Sequence, residues 1–246
     1  MTRAEAIAAN LAAVRTRIAR AAARTGRDPA AVGLVGVTKG KPAADVVAAV
    51  AAGLERVGES YVQEAVAKLP AVREALSARG LAMPALHFIG QLQRNKARDV
   101  VAWFDCVESL DRESLARALD ARAAAAGVTL RVLLQVDLSR EPGKGGVEPD
   151  ALPALLAACA GLQHLSVAGL MAVPAPEPDP EASRSAFAGL RALRDALRER
   201  PGGAGLRELS MGMSGDFEVA VEEGATLVRV GTAIFGPREA RETDHG

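Results

Sequence analysis

Several common chemistries are excluded by what this sequence lacks. It has two cysteines, Cys106 and Cys159, with neither the spacing of a zinc site nor the density of a disulfide scaffold, so each reads as a small buried apolar residue. Its 30 basic and 30 acidic residues cancel, leaving no electrostatic footprint for nucleic acid or an anionic membrane. No stretch approaches the roughly 18 uninterrupted apolar residues of a membrane span, and residues 1–10 lack the apolar core of a signal peptide. Three histidines, His87, His164 and His245, stand too far apart in type of segment to suggest a metal triad. Neither G-x-G-x-x-G after the first strand nor G-x-x-x-x-G-K-[ST] anywhere is present, so the usual nucleotide loops are missing. A cytoplasmic enzyme or small-molecule binder, neutral and monomeric, is the expectation that remains.

What is present is a chain of 246 residues, 49% hydrophobic and 24% charged, the composition of a globular protein. Thr2 and Glu5 have the form of a capping box, and Ile7, Leu11, Val14 and Ile18 follow at helical spacing until Gly26. Apolar β-type runs then alternate with helical patterns. Strands are expected over 32–38, 56–60, 86–90, 106–110, 131–138, 167–173, 208–213 and 227–235. Helices are expected over 43–52, 62–79 with a possible break at Pro70, 94–104, 112–125, 150–159, 181–200 and 216–223, and the Pro-rich stretch 174–180 reads as a strand-to-helix loop. Eight alternating units in one chain of this length predict a single (β/α)8 TIM barrel domain over 1–246, with its core over about 30–237 and an extra helix at the N-terminus. An open doubly wound sheet is the other arrangement such alternation allows.

In a barrel the chemistry sits at the C-terminal ends of the strands. Lys39 shares the face of Val35 and Val37 at the exit of the first strand, where partial desolvation favours the free amine that forms a Schiff base. The alternative is a solvated lysine at a strand end. Only five lysines occur among 30 basic residues, which weighs toward a purpose for this one. Arg229, within Leu227-Val228-Arg229-Val230, cannot easily lose its charge and needs a fixed acceptor, either a carboxylate or a ligand. Ser210-Met211-Gly212-Met213-Ser214 and Gly231-Thr232-Ala233 follow strands seven and eight, where many barrels bind phosphate, although tight turns alone would also explain their glycines. Together these features suit a cofactor with an aldehyde, a ring nitrogen and a phosphate.

Six ordered segments carry a family resemblance: Val37-Thr38-Lys39-Gly40-Lys41-Pro42, Gly58-Glu59-Ser60-Tyr61-Val62-Gln63-Glu64, His87-Phe88-Ile89-Gly90-Gln91-Leu92-Gln93-Arg94-Asn95-Lys96, Gly169-Leu170-Met171-Ala172-Val173-Pro174, Leu209-Ser210-Met211-Gly212-Met213-Ser214 and Val228-Arg229-Val230-Gly231-Thr232-Ala233-Ile234-Phe235-Gly236. They resemble the YggS/PROSC family of pyridoxal phosphate homeostasis proteins. The resemblance implies a barrel like the N-terminal domain of alanine racemase, without a C-terminal β-domain, holding pyridoxal 5'-phosphate (PLP) covalently. By position it makes Lys39 the Schiff-base lysine and Arg229 the partner of the pyridine nitrogen. It sets Ser210, Met211 through its backbone, Ser214, Gly231 and Thr232 around the phosphate, and Ser60 near the cofactor. This sequence departs from the family in three places: Ser60 replaces the usual Asn, Gly145 stands where a Ser commonly follows the lysine at 144, and Ala168 stands where an Arg often precedes Gly-Leu-Met.

An arginine only donates hydrogen bonds, so a pyridine nitrogen bonded to Arg229 stays unprotonated and the ring is a weak electron sink. Racemisation needs an acid/base on each face of the substrate. In alanine racemases the second is a tyrosine from a C-terminal domain of the partner subunit. Here the chain ends eleven residues after Phe235, so that domain is not expected, and Tyr61 is the sole tyrosine. The expected function is therefore PLP homeostasis: the cofactor is buffered as a Schiff base and delivered to apo-enzymes. The alternative is a small amino-acid racemase using Lys39 and Tyr61. His87 is expected to be a strand residue of the core.

Overall fold

The computed structural model describes residues 1–138, 145–175 and 177–237. Thr2 caps the first helix, α1 (Arg3–Arg24), and the reciprocal bonds of the capping box are both made, Glu5 N–H to Thr2 Oγ1 at 3.2 Å and Thr2 N–H to Glu5 Oε2 at 2.7 Å. The apolar stripe of α1, Ile7, Leu11, Val14 and Ile18, is buried against the outer helices, which explains why a helix outside the alternating pattern is kept.

After α1 the chain alternates as the sequence predicts: β1 (Gly33–Val37), α2 (Ala43–Ala51), β2 (Arg56–Glu59), α3 (Val62–Ser77), β3 (Ala85–Phe88), α4 (Ala97–Trp103), β4 (Cys106–Leu110), α5 (Glu113–Ala126), β5 (Leu130–Val136), α6 (Leu152–Ala160), β6 (Leu165–Ala172), α7 (Arg184–Arg198), β7 (Glu208–Ser210), α8 (Phe217–Glu222), β8 (Leu227–Val230) and α9 (Thr232–Phe235). The strands are parallel and in sequence order. Pairing of β1 with β8, including Val35 opposite Arg229, closes the barrel. The doubly wound alternative is thereby excluded.

Three local expectations are corrected. Strand eight ends at Val230 instead of running to Phe235: the chain turns at Gly231 into α9, whose Ile234 and Phe235 carbonyls accept bonds from Asn10 and Arg3 of α1. Long-range contacts with α1 thus override the β-like look of Ala233-Ile234-Phe235. Helix α3 passes through Pro70 without a break, since Pro70 lies on the exposed face while Leu69 and Val72 bury. The segment expected as one helix over 94–104 begins as a separate 3-10 turn, Arg94–Lys96.

Period-two alternation sends every second strand residue into the barrel. Val35, Cys106, Leu133, Met171 and Leu227 form an apolar plug inside it. Two residues further along these strands come Val37, Glu108, Gln135, Val173 and Arg229, so polar and charged side chains first enter the barrel toward its C-terminal end. Both cysteines are buried, and burial raises each thiol pKa, that of Cys159 to about 11.

Candidate functional site

A cavity of about 520 Å³ opens at the C-terminal end of the barrel. Its walls include Lys39 from the end of β1, Ser60 and Tyr61 after β2, Gln91 after β3, Ser214 after β7, and Arg229, Gly231 and Thr232 at the end of β8. Six of the eight residues expected at the site, Lys39, Ser60, Ser214, Arg229, Gly231 and Thr232, therefore meet in one place. Val37, Ile89, Val173 and Met213 supply its apolar surface. A larger cavity, about 650 Å³, lies at the opposite end of the barrel among Arg15, Arg56, Arg131, Glu55 and Glu208. There Arg131 pairs with Glu208 and Arg56 with Glu55, and the N-terminal face of such barrels serves stability.

The two loops that frame the phosphate-like corner are shaped by glycine and tied by one hydroxyl. Gly212 has φ 89°, and a Cβ there would crowd Ala220 and Phe217, so the Ser210-to-Ser214 turn requires glycine. A Cβ at Gly90 would overlap the Ser60 carbonyl, which lets β2 and β3 deliver their loop residues close together. Ser214 Oγ accepts from the N–H groups of Gly231 and Ala233, each at 3.3 Å. Hydroxyl and backbone donors from two loops thus converge on one point.

Ser210 and Met211 stand behind this surface. Met211 is fully buried and its N–H donates to the Leu227 carbonyl at 3.1 Å, as part of the sheet. Ser210 Oγ is inside the barrel, where it accepts from Arg229 Nη1 at 2.6 Å and donates to Glu108 Oε2 at 2.5 Å. In this geometry both residues support the site from beneath.

That bond belongs to a chain spanning five strands, β3, β4, β6, β7 and β8. Arg229 Nη2 donates to the Ala172 carbonyl at 2.8 Å, and Glu108 Oε1 lies 2.6 Å from His87 Nδ1. An ionised carboxylate only accepts, so His87 Nδ1 carries the proton of this bond. Burial alone would raise the Glu108 pKa, but His87, Arg229 and Ser210 outweigh it and hold the carboxyl below the usual carboxylate range. Burial pulls the Arg229 pKa below that of a free guanidinium, with Glu108 and Asp216 acting against the shift. Arg229 is therefore a fixed cation, 3.8 Å from its counter-charge, facing the cavity.

Sequence reasoning singled out Arg229 but missed Glu108. The signal was available: Glu108 has the same inward parity as Cys106 in a strand of otherwise uncharged residues, and a buried cation needs a partner. His87 is a buried strand residue, as expected, with a polar role that its position alone did not reveal. Of the departures from the family pattern, Ser60 lines the cavity, and a Cβ at Gly145 would press on Gln91 at the rim. Ala168 instead packs against the apolar plug, because it lies in the first half of β6 and not at its exit. Residue 144 and His245 lie outside the described residues. His164 sits just before β6 with its N–H bonded to Asp120, and no group of three or more potential metal ligands occurs among the described residues. Nor is any helix among them long and apolar enough to cross a membrane.

Residues 6–239 match the family described as alanine racemase, N-terminal domain. The chain is 46% identical over 234 residues to a Pseudomonas aeruginosa protein named pyridoxal phosphate homeostasis protein, covering 95% of this chain and 96% of that one. A relative of the same name from Escherichia coli K12 is 42% identical over 240 residues, with 95% and 97% covered. Among solved structures, PipY of Synechococcus elongatus with PLP bound superposes with a TM-score of 0.80 at 37% identity, covering 94% of this chain and 100% of that one. Alanine racemase of Corynebacterium glutamicum gives 0.67 at 18% identity, covering 98% of this chain and 64% of that one, a likeness of fold alone.

Proposed function

This chain belongs to the family of pyridoxal phosphate homeostasis proteins, and from that premise we propose that it holds PLP in the C-terminal cavity and delivers it to apo-enzymes. The observation that carries the reading is the meeting, in one cavity, of a lysine amine, a fixed guanidinium and a cluster of hydroxyl and N–H donors. When bound, the cofactor supplies an aldehyde that condenses with a primary amine, releasing one water.

The donor set fits that group. Lys39 offers the amine at the rim of the barrel, half-buried at the exit of β1. Arg229, with Nη1 and Nη2 anchored to Ser210 and Ala172, has an orientation suited to a ring nitrogen. Ser214, Gly231 and the exposed Thr232 suit a phosphate, and Ser60 offers a short hydroxyl nearby. Arg229 cannot give up its proton to the ring, so it steadies the ring without making it a strong electron sink. Of the ionisable residues lining the cavity, Lys39, Tyr61 and Arg229, the guanidinium cannot serve as an acid or base, and Tyr61 is 53% exposed. Both points favour custody of the cofactor over turnover.

Delivery is tested by mixing the PLP-loaded protein with an apo form of a PLP-dependent enzyme in the presence of a scavenger for free PLP. Recovery of that enzyme's activity despite the scavenger is the expected result. Recovery only when the scavenger is omitted would contradict delivery. The second reading, a racemase, draws on Tyr61 lining the same cavity as Lys39. It requires interconversion of L- and D-alanine at an enzymatic rate that Tyr61→Phe abolishes.

A further inference from the structure

Lys39 sits in a turn whose neighbours are all tied down from one side. Thr38 Oγ1 donates to Glu59 Oε1 at 2.5 Å, and Gly40 N–H donates to Glu64 Oε1 at 2.5 Å. The carbonyls of Thr38 and Lys41 accept from Lys68 Nζ at 2.8 and 3.1 Å. Lys68 also pairs with Glu59 Oε1 at 2.7 Å and with Glu64 Oε1 at 3.1 Å. The Lys68 side chain is 8% exposed and that of Glu59 is fully buried.

We propose that Lys68, braced by Glu59 and Glu64, is a positioning residue that fixes the turn of residues 38–41 and so presents the Lys39 amine to the cavity. The inference rests on the reading of Lys39 as the amine that holds the cofactor. An ammonium has three protons, and Lys68 meets four acceptors, two carbonyls and two carboxylate oxygens. Its three N–H groups are shared among these four acceptors, and a compact, tetrahedral ammonium suits this pocket where a planar guanidinium would not. The alternation of β2 completes the device. Glu59 points outward to α3 and the clamp, while Ser60, the next residue, reaches the cavity. Ends of two strands are thereby locked to the first turns of α3 on the side away from the cavity.

A clamp of this kind predicts effects at Lys39 that loss of stability alone does not produce. In the apo protein, the rate of trace acetylation at Lys39 is read by peptide mapping against Lys96, which lies in the separate 3-10 turn Arg94–Lys96. In the loaded protein, the rate of PLP release is read by trapping. Lys68→Met is expected to raise the release rate by about tenfold or more, the size of one hydrogen bond to a charged group, and to raise the Lys39-to-Lys96 labelling ratio. Lys68→Arg is not expected to restore either. Glu64→Gln, which weakens the tether at Gly40 on a partly exposed side chain, is expected to do the same by about threefold and decides the matter if Lys68→Met does not fold. Folded variants whose labelling ratio and release rate both stay within twofold of the unaltered protein would overturn the clamp. Failure of borohydride to fix PLP to Lys39 in the unaltered protein would instead overturn the underlying reading, whatever Lys68 does.

Discussion

Glu59 and Glu108 are both fully buried carboxylates near the C-terminal end of the same barrel, yet their pKa values move in opposite directions. For Glu59 burial is the largest influence and pushes the carboxyl up, against Lys68 and Thr38. For Glu108 burial also pushes upward, but His87, Arg229 and Ser210 together reverse it. The difference lies in the partners. Both oxygens of Glu108 are engaged, whereas Glu59 shares Oε1 between Thr38 and Lys68 and its Oε2 has no hydrogen-bond partner. Desolvation is common to the two, and the number and placement of donors decides the outcome. The interior carboxylate anchors the cation beneath the cofactor site, and the exterior one braces the turn that carries the amine.

The largest effect should come from Glu108→Ala, which leaves the Arg229 guanidinium buried without its counter-charge and costs about 3–5 kcal/mol in urea unfolding. Glu59→Gln should cost only about 1 kcal/mol, because Lys68 keeps Glu64 and two carbonyls. Equal losses for the two would mean that the number of donors around each carboxylate does not set its contribution. Acid titration of stability separates the two carboxylates further. The depressed pKa of Glu108 contributes stability above its unfolded value that disappears as pH falls through the folded one, so the advantage of the unaltered protein over Glu108→Gln should shrink in acid. The raised pKa of Glu59 costs stability at neutral pH, and that cost is relieved as pH falls from the raised value to the ordinary carboxylate value, so the unaltered protein should gain on Glu59→Gln there, at higher pH than the range in which Glu108 loses its advantage. Smallest of all, Lys39→Ala should leave unfolding within about 0.5 kcal/mol, since Lys39 is a half-buried residue at the rim of the barrel.

Sequence alone carried the barrel because its alternating periods survive in an alanine-rich chain: strand runs and helix stripes differ in period whatever their composition. It carried Lys39 and Arg229 because each is a charge on an inward parity. It misjudged 231–235, where contacts with a helix more than two hundred residues earlier in the chain decide the local conformation. The Glu64–Lys68 pair has helical i,i+4 spacing and is readable. The Glu59–Lys68 pair is not, since only the packing of α3 on β2 brings its members together. Likewise Ser210 reads as a loop hydroxyl beside a phosphate, while the short β7 places it within the barrel between Arg229 and Glu108.

Lys39 is the amine proposed to hold PLP, and reconstitution with PLP, borohydride reduction and peptide mapping locate that amine. The expected result is the visible absorption of a protein-bound Schiff base and a single reduced adduct at Lys39, both lost in Lys39→Ala. An unchanged spectrum in that variant, or an adduct on Lys41 or Lys96 in the unaltered protein, would contradict it.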